Sequence, residues 1–396
     1  MSGTRYGWVV VAAAFGLMCV GFASAYSFAA FFRAFEGEFG ASRGHIALVF
    51  SVAAFIWFVI GAPAGMLSDR FGPRRVTLAG VALLAAALWV ASRTQSVEML
   101  YATYSIGLGV GVGLVYVPSV GAVQPWFDAN RAVASGIAVA GIGAGNFAMP
   151  LFAAWLIERL GWRDAYVALA VLLLVLGGSA ASVIRQKVSL AKGSPAGGAT
   201  LRGALKTREF ALLYVGMVFI CIGVFVPMVH LGPYAQDLGF SEAQGVALVS
   251  LVGLGSLAGR FTVGPFADRL GRRASLVAMY VGLGLLFLLW WRSGGAYWLL
   301  AVFAVAFGML YGGCVALFPT IVMDLYGARA ISGIIGCLYT GAGIGTLLGP
   351  WLAGAAYDAF GAYEVPILAG AAFSFVAAAA VLPLLRREKA PALGRG

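Results

Sequence analysis

Twelve stretches of this chain run for about 17 to 28 residues with almost no charge, near residues 7–32, 44–67, 76–92, 99–124, 132–157, 165–184, 210–236, 243–267, 274–291, 296–323, 330–357 and 365–385. A helix needs roughly 20 apolar residues to cross a bilayer, where helices satisfy their own backbone hydrogen bonds. Each run therefore predicts a spanning helix, and the chain predicts an all-α membrane protein with twelve transmembrane helices. Hydrophobic residues are 62% of the 396 and charged ones 10%, against about 45–50% and 25% in a soluble domain. That balance excludes a soluble enzyme, a disordered chain and a nucleic-acid module, despite a net charge of +11. Arg5 with Ala23-Ser24-Ala25 has the look of a cleavable leader. The apolar run continues through Phe32, so the segment is expected to be retained.

An even number of crossings leaves both termini on one side. Nineteen of the 26 basic residues fall there: Arg5; Arg70, Arg74 and Arg75; Arg131; six from Arg185 to Arg208; Arg269, Arg272 and Arg273; Arg329; and Arg386, Arg387, Lys389 and Arg395. Six fall opposite: Arg33, Arg43, Arg93, Arg159, Arg163 and Arg292. Cytoplasmic loops carry the excess of Lys and Arg, so both termini are expected in the cytoplasm. The one long connection, residues 185–209, holds Lys192-Gly193-Ser194-Pro195-Ala196-Gly197-Gly198 and six basic residues. It reads as a flexible linker between two six-helix halves, residues 1–184 and 210–396.

Internal repetition supports the division. Gly65-Met66-Leu67-Ser68-Asp69-Arg70-Phe71-Gly72-Pro73-Arg74-Arg75 recurs 199 residues later as Gly264-Pro265-Phe266-Ala267-Asp268-Arg269-Leu270-Gly271-Arg272-Arg273. Gly141, Gly143, Gly145 and Pro150 recur 200 residues later as Gly341, Gly343, Gly345 and Pro350. Parallel repeats of six helices are an organisation found in transporters. The two D-R-x-G-x-R-R-like segments, each after the second helix of its half, resemble the signature loop of the major facilitator superfamily. The resemblance implies that fold, with two pseudo-symmetric halves. It also implies a conformational latch at Asp69, Arg70, Asp268 and Arg269. Within the superfamily, Arg5-Tyr6-Gly7-Trp8-Val9, Phe31-Phe32-Arg33-Ala34-Phe35-Glu36-Gly37 and Trp126-Phe127-Asp128-Ala129-Asn130-Arg131-Ala132 resemble the monocarboxylate transporters and their oxalate/formate relatives.

One basic residue remains unassigned. Arg260 lies eight residues before Asp268 inside the eighth run, about 12 Å from that end of a helix. A charge there costs about 2.5–3.5 kcal/mol or more, and such a residue is by default a site with a partner. No carboxylate stands mid-span to neutralise it. The natural partner is an anionic ligand, since guanidinium matches a carboxylate with two parallel hydrogen bonds; a structural ion pair or snorkelling is the alternative. The family resemblance agrees, because its members carry a substrate-binding arginine in this helix. Depth arithmetic adds Tyr116 and Tyr339 near the level of Arg260, Tyr311 and Asn146 near the midplane, and Ser256 one turn before the arginine. Hydroxyls and a carboxamide can donate to carboxylate oxygens while rings enclose an aliphatic tail. Each aromatic could equally serve packing or an interfacial belt.

Two departures from the relatives bear on mechanism. Tyr26 stands where animal monocarboxylate transporters carry a first-helix lysine, and Ser256 where they carry an acid beside the arginine. Their proton-coupling pair is therefore missing. The remaining proton-coupling candidates are His230, which can titrate near neutral pH, and Asp237, beside Pro227 and Pro233; a packed histidine is the alternative. Gly107-Leu108-Gly109-Val110-Gly111-Val112-Gly113 follows no strand and is no dinucleotide loop; small residues let helices approach and slide. No nucleophile, P-loop or H-E-x-x-H constellation appears, so no enzyme, cofactor or metal is expected. Cys19, Cys221, Cys314 and Cys337 show no paired spacing and read as free packing thiols.

The expectation is a secondary transporter of a small monocarboxylate of the lactate/pyruvate kind, proton-coupled and working by alternating access. It is expected to act as a monomer in a bacterial inner membrane. The alternatives are an exchanger of other organic anions of the oxalate/formate kind, a drug exporter, or a channel or sensor. A lone arginine favours one carboxylate over two.

Overall fold

The computed structural model describes residues 2–127, 131–185, 198–327 and 329–387. The N-terminal half comprises α1 (Ser2–Tyr26), α2 (Phe28–Phe39), α3 (Arg43–Phe71), α4 (Pro73–Ala91), α5 (Val97–Leu100), α6 (Gly107–Val123), α7 (Arg131–Leu172) and α8 (Gly178–Val183). A short α9 (Leu201–Leu205) precedes α10 (Arg208–Asp237), α11 (Glu242–Leu270), α12 (Arg272–Arg292), α13 (Tyr297–Tyr326), α14 (Ile331–Phe360) and α15 (Glu364–Val381). Polar caps start several of them. Thr207 accepts from the Phe210 N–H at 3.2 Å to open α10, and Ser241 with Gln244 forms a reciprocal box at the start of α11.

Among the described residues, eleven continuous helical segments are long and apolar enough to cross a membrane. One of them, Val133–Val183, has 51 residues, about 75 Å of helix and far more than one crossing. It breaks at Gly161, whose φ of 77° and ψ of 162° reverse the chain in a conformation that glycine adopts freely. The segment is therefore two crossings, and the total is twelve. The sequence repeat reappears as a repeated turn. Gly72 (φ 84°, ψ 146°) and Gly271 (φ 91°, ψ 132°) end the second helix of each half in nearly the same conformation.

Within each half, α1 packs on α7 and α10 on α14. The halves meet along two seams, α3 against α14 and α7 against α11. Small residues make both seams close. A Cβ at Gly354 would come within 2.7 Å of the Gly44 backbone, and one at Gly253 within 2.5 Å of the Asn146 carbonyl carbon. The far part of the connection is docked rather than free. Ala199 donates to the Tyr326 carbonyl at 2.8 Å and Thr200 caps α9 through the Gly203 N–H at 3.1 Å. The Gly/Pro-rich stretch 186–197 lies outside the described residues.

Candidate functional site

Between the halves lies a cavity of about 80 Å³, several times what one water requires. The face of the bundle where α1 begins and where the chain leaves α15 is the terminal face, and the opposite one is the far face. Arg260 lines the cavity together with Tyr116, Tyr311 and Tyr339, so four residues singled out by depth converge on one space. Arg260 stands ten residues before the end of α11 at Leu270, about 15 Å above the terminal face. Its Nη1 donates across the seam to the Val139 carbonyl at 3.0 Å. Its Nε is buried with no partner, and no ion pair to it occurs among the described residues. Two of the tyrosines are paired across the halves, Tyr26 lying 3.4 Å from Tyr311, hydroxyl to hydroxyl, while Tyr116 and Tyr339 line the same space. The arrangement offers a cation, spare N–H donors and phenolic hydroxyls inside aromatic walls, which suits one carboxylate.

Ser256 and Asn146 are placed elsewhere. Ser256 shares the side of α11 that meets α13 so closely that a Cβ at Gly312 would overlap the Ser256 backbone. Its Oγ is buried without a partner, and a short side chain on that face cannot reach the cavity as a long arginine can. Asn146 is buried in the α7–α11 seam, with Nδ2 3.8 Å from the Met228 sulfur and Oδ1 unpartnered. Several cavity residues were not singled out from sequence as ligands: Tyr26, Phe22, Trp57, Phe58 and Phe225. Tyr26 carried a signal, since it stands at the relatives' lysine position. The other four were hidden among many aromatics in apolar runs. Cys221 and Cys314, both free thiols, also lie in this wall.

At the far face the halves are tied by charge. Arg43, at the start of α3 and 4% exposed, reaches both carboxylate oxygens of Asp237, with Nη2 2.7 Å from Oδ1. It also donates to Glu36 at 3.1 Å and to the Tyr363 hydroxyl at 3.0 Å, and lies 3.9 Å above the Tyr357 ring. Arg33 on α2 pairs with Asp237 and, at 2.7 Å, with Glu36. Asp358 on α14 accepts from the backbone N–H groups of Arg43 (3.0 Å) and Gly44 (2.8 Å). A carboxylate from one half thus caps a helix of the other.

His230 is fully buried below this cluster, not facing open solvent. Its Nε2 lies 2.8 Å from the Pro350 carbonyl and must donate, which leaves Nδ1 to accept from the Tyr363 hydroxyl at 3.0 Å. The neutral ring satisfies every bond there. At the terminal face Asp69, Arg70 and Arg269 are exposed, and Arg70 lies 5.1 Å over the Phe71 ring. Among the described residues Asp69 has no ion-pair partner; the side chain of Asp268 lies outside them.

Comparison with known proteins gives concordant matches. The family model of the Major Facilitator Superfamily matches residues 13–225 and again 210–395. Mouse monocarboxylate transporter 3 is 32% identical over 375 residues, spanning 91% of this chain and 75% of that protein. Rat monocarboxylate transporter 13 is 29% identical over 384 residues, spanning 96% and 89%. Among solved structures, a bacterial homolog to the human lysosomal transporter Spinster, inward-facing and unoccupied, superimposes with a TM-score of 0.76 at 17% identity, covering 98% of this chain and 99% of that one.

Proposed function

Because this chain belongs to the major facilitator superfamily and, within it, to the monocarboxylate transporter family, we propose that it carries a small monocarboxylate by alternating access, with Arg260 as the carboxylate anchor. It is an integral membrane transporter and not an enzyme. The observation that carries the substrate reading is Arg260: a guanidinium at mid-membrane depth, facing a cavity, with an unpartnered Nε and no carboxylate beside it among the described residues. An uncompensated charge at this depth costs about 2.5–3.5 kcal/mol or more. The substrate's carboxylate supplies the compensation, so apolar walls close more readily around the loaded arginine than around the bare one. Tyr116, Tyr311 and Tyr339 orient the acid; Asn146, in the α7–α11 seam, can approach it as the halves rock, whereas Ser256, held against α13, stays outside the site.

The excess of basic residues on the terminal face supports a cytoplasmic position for both termini, in a bacterial inner membrane. The tied far face then supports an inward-facing or occluded state. Transport by the monomer, coupled to protons through Asp237 and His230, completes the reading. When the far face opens, Asp237 parts from Arg33 and Arg43, and a proton replaces the lost positive charge. An exchanger of oxalate or formate is the second reading; the lone Arg260 speaks for one carboxylate per cycle.

The test is uptake of labelled lactate, pyruvate, formate and oxalate into proteoliposomes with and without a pH gradient. Uptake of lactate or pyruvate driven by an acidic exterior is expected. Asp237→Asn or His230→Gln should weaken accumulation more than substrate binding, and wild-type accumulation by both across about pH 5 to 8 rules the relay out.

A further inference from the structure

Beyond Arg260, the tyrosines and Trp57, whose buried Nε1 has no partner among the described residues, the cavity wall is carbon and sulfur. Helix α10 turns Met217, Ile220, Cys221 and Val224 to the cavity, and α13 adds Cys314 and Val315. The spacing on α10, i, i+3, i+4 and i+7, is one continuous helical face. The thiols leave no free donor there: Cys221 Sγ lies 3.8 Å from Met217 Sδ, and Cys314 Sγ 3.6 Å from Met279 Sδ. Counted from Arg208, where α10 begins, this stripe runs from about 14 to 24 Å above the terminal face. Arg260, at about 15 Å, sits level with its lower end. A ligand anchored at Arg260 therefore has beside it an apolar helix face, a track about 10 Å long, the length of a chain of six to eight carbons; the cavity of about 80 Å³ in this closed state is smaller than such an acid, so the halves must part to admit it.

The donors count the same way. The Tyr26–Tyr311 pair uses one hydroxyl proton internally. What remains is one O–H of that pair, the hydroxyls of Tyr116 and Tyr339, the unpartnered Nε1–H of Trp57 and the free N–H groups of Arg260. A carboxylate has about four acceptor sites to fill, and these donors fill them. Arg260 is the sole cation in the cavity wall among the described residues, so a second carboxylate would lie unpaired against sulfur and carbon.

We infer, on the premise that Arg260 binds a carboxylate, that the substrate is a monocarboxylic acid with an extended apolar tail, seated along α10 and α13 and longer than the tail of lactate. Dicarboxylates of the same length are excluded by the same wall.

The test is calorimetric binding to the full-length protein in nanodiscs, with propanoate, hexanoate, adipate and hexanamide as probes. Each buried methylene is worth about fourfold in affinity, so hexanoate is expected to bind about 50-fold tighter than propanoate. Adipate should bind more than about tenfold weaker than hexanoate, because its second charge stays unpaired. Hexanamide, which partitions into lipid but cannot neutralise Arg260, should show no saturable binding. Val315→Phe, which fills the track, should weaken hexanoate about tenfold and leave propanoate within about twofold; the milder Val315→Leu should fall between. Equal affinity for propanoate and hexanoate, adipate matching hexanoate, or equal loss of both acids in the Val315 variants overturns the inference. If the acids bind alike and Arg260→Lys abolishes both, the anchor stands and only the tail fails. If no acid binds saturably, or hexanamide binds as hexanoate does, the carboxylate reading falls too.

Discussion

Arg43 is the residue whose removal has the most definite consequence. Its bonds to Asp237 and Tyr363 and its contact with Tyr357 cross from one half to the other, and those bonds exist only while the far face is closed. Breaking a fully buried ion pair by removing one partner costs about 3–5 kcal/mol, and a surface pair contributes only about 0–1 kcal/mol. Arg43 is 4% exposed but Asp237 is 26% exposed, and Arg33 stays on Asp237 after the change. Both facts pull the estimate down to about 2 kcal/mol for Arg43→Met, which keeps most of the apolar stem. That is about 30-fold in the ratio of closed to open far face. A population of roughly 99:1 would move to roughly 3:1.

Spin labels can read this directly. Gly37, on α2, is exposed with nothing within 4 Å of a Cβ, and Phe360, at the end of α14, is 68% exposed. Labelled cysteines there sit at the far ends of opposite halves. Arg43→Met should add a longer-distance population, and Asp237→Asn in the same background should add less than its separate effect, because the two share one bond. A distance distribution unchanged from wild type, in protein of normal thermal stability, would refute the assignment of this cluster as the far-face tie.

Three further outcomes are expected. Arg260→Lys keeps the charge but loses the planar fork, so transport should fall by at least about tenfold with normal membrane insertion; wild-type uptake of every acid tested would remove Arg260 from the site. Asp69 is exposed and unpaired among the described residues in this state, as a latch that closes in the opposite state should be. Asp69→Asn should therefore shift cysteine accessibility toward the inward-facing form, and an unchanged labelling pattern from both sides counts against it. Gly253→Ala places a methyl into the Asn146 backbone, so melting should show a loss of about 1–3 kcal/mol and uptake should slow; unaltered melting would mean that the α7–α11 seam is not tightly closed.

How far the sequence carried these conclusions depended on the kind of signal. The crossings were legible because a bilayer fixes helix length, and the turns at Gly72 and Gly271 because the repeat preserves the one residue type that accepts their φ. Arg260 stood out because charge is rare inside apolar runs. Ser256 shows where helix spacing stops being enough. One turn from Arg260 it shares roughly the same face, but only the packing of α11 on α13 decides that the face is shut to a short side chain. The far-face cluster was half visible. In the sequence Arg33 and Arg43 read as loop charges and Asp237 as a proton site, yet nothing in a linear pattern brings residues 43, 237, 358 and 363 together.

The two arginines follow opposite rules, a contrast that the proposed alternating access would use. Arg43 is satisfied entirely from within: two carboxylates, a hydroxyl and an aromatic face hold it in the closed state, and opening must give those bonds up. Arg260 is satisfied only in part, by one carbonyl of the opposite half. A ligand can shift the balance between states only by its differential affinity for them. On the proposed reading an acid at Arg260 would provide that difference, because its charge matters most when the walls are shut and water is excluded. The far-face tie of about 2 kcal/mol and the uncompensated charge of about 2.5–3.5 kcal/mol are of similar size. On the proposed reading neither outweighs the other, and loading the site would tip the balance. Strengthening the tie should therefore slow opening of the loaded protein as surely as removing Arg43 unlocks the empty one.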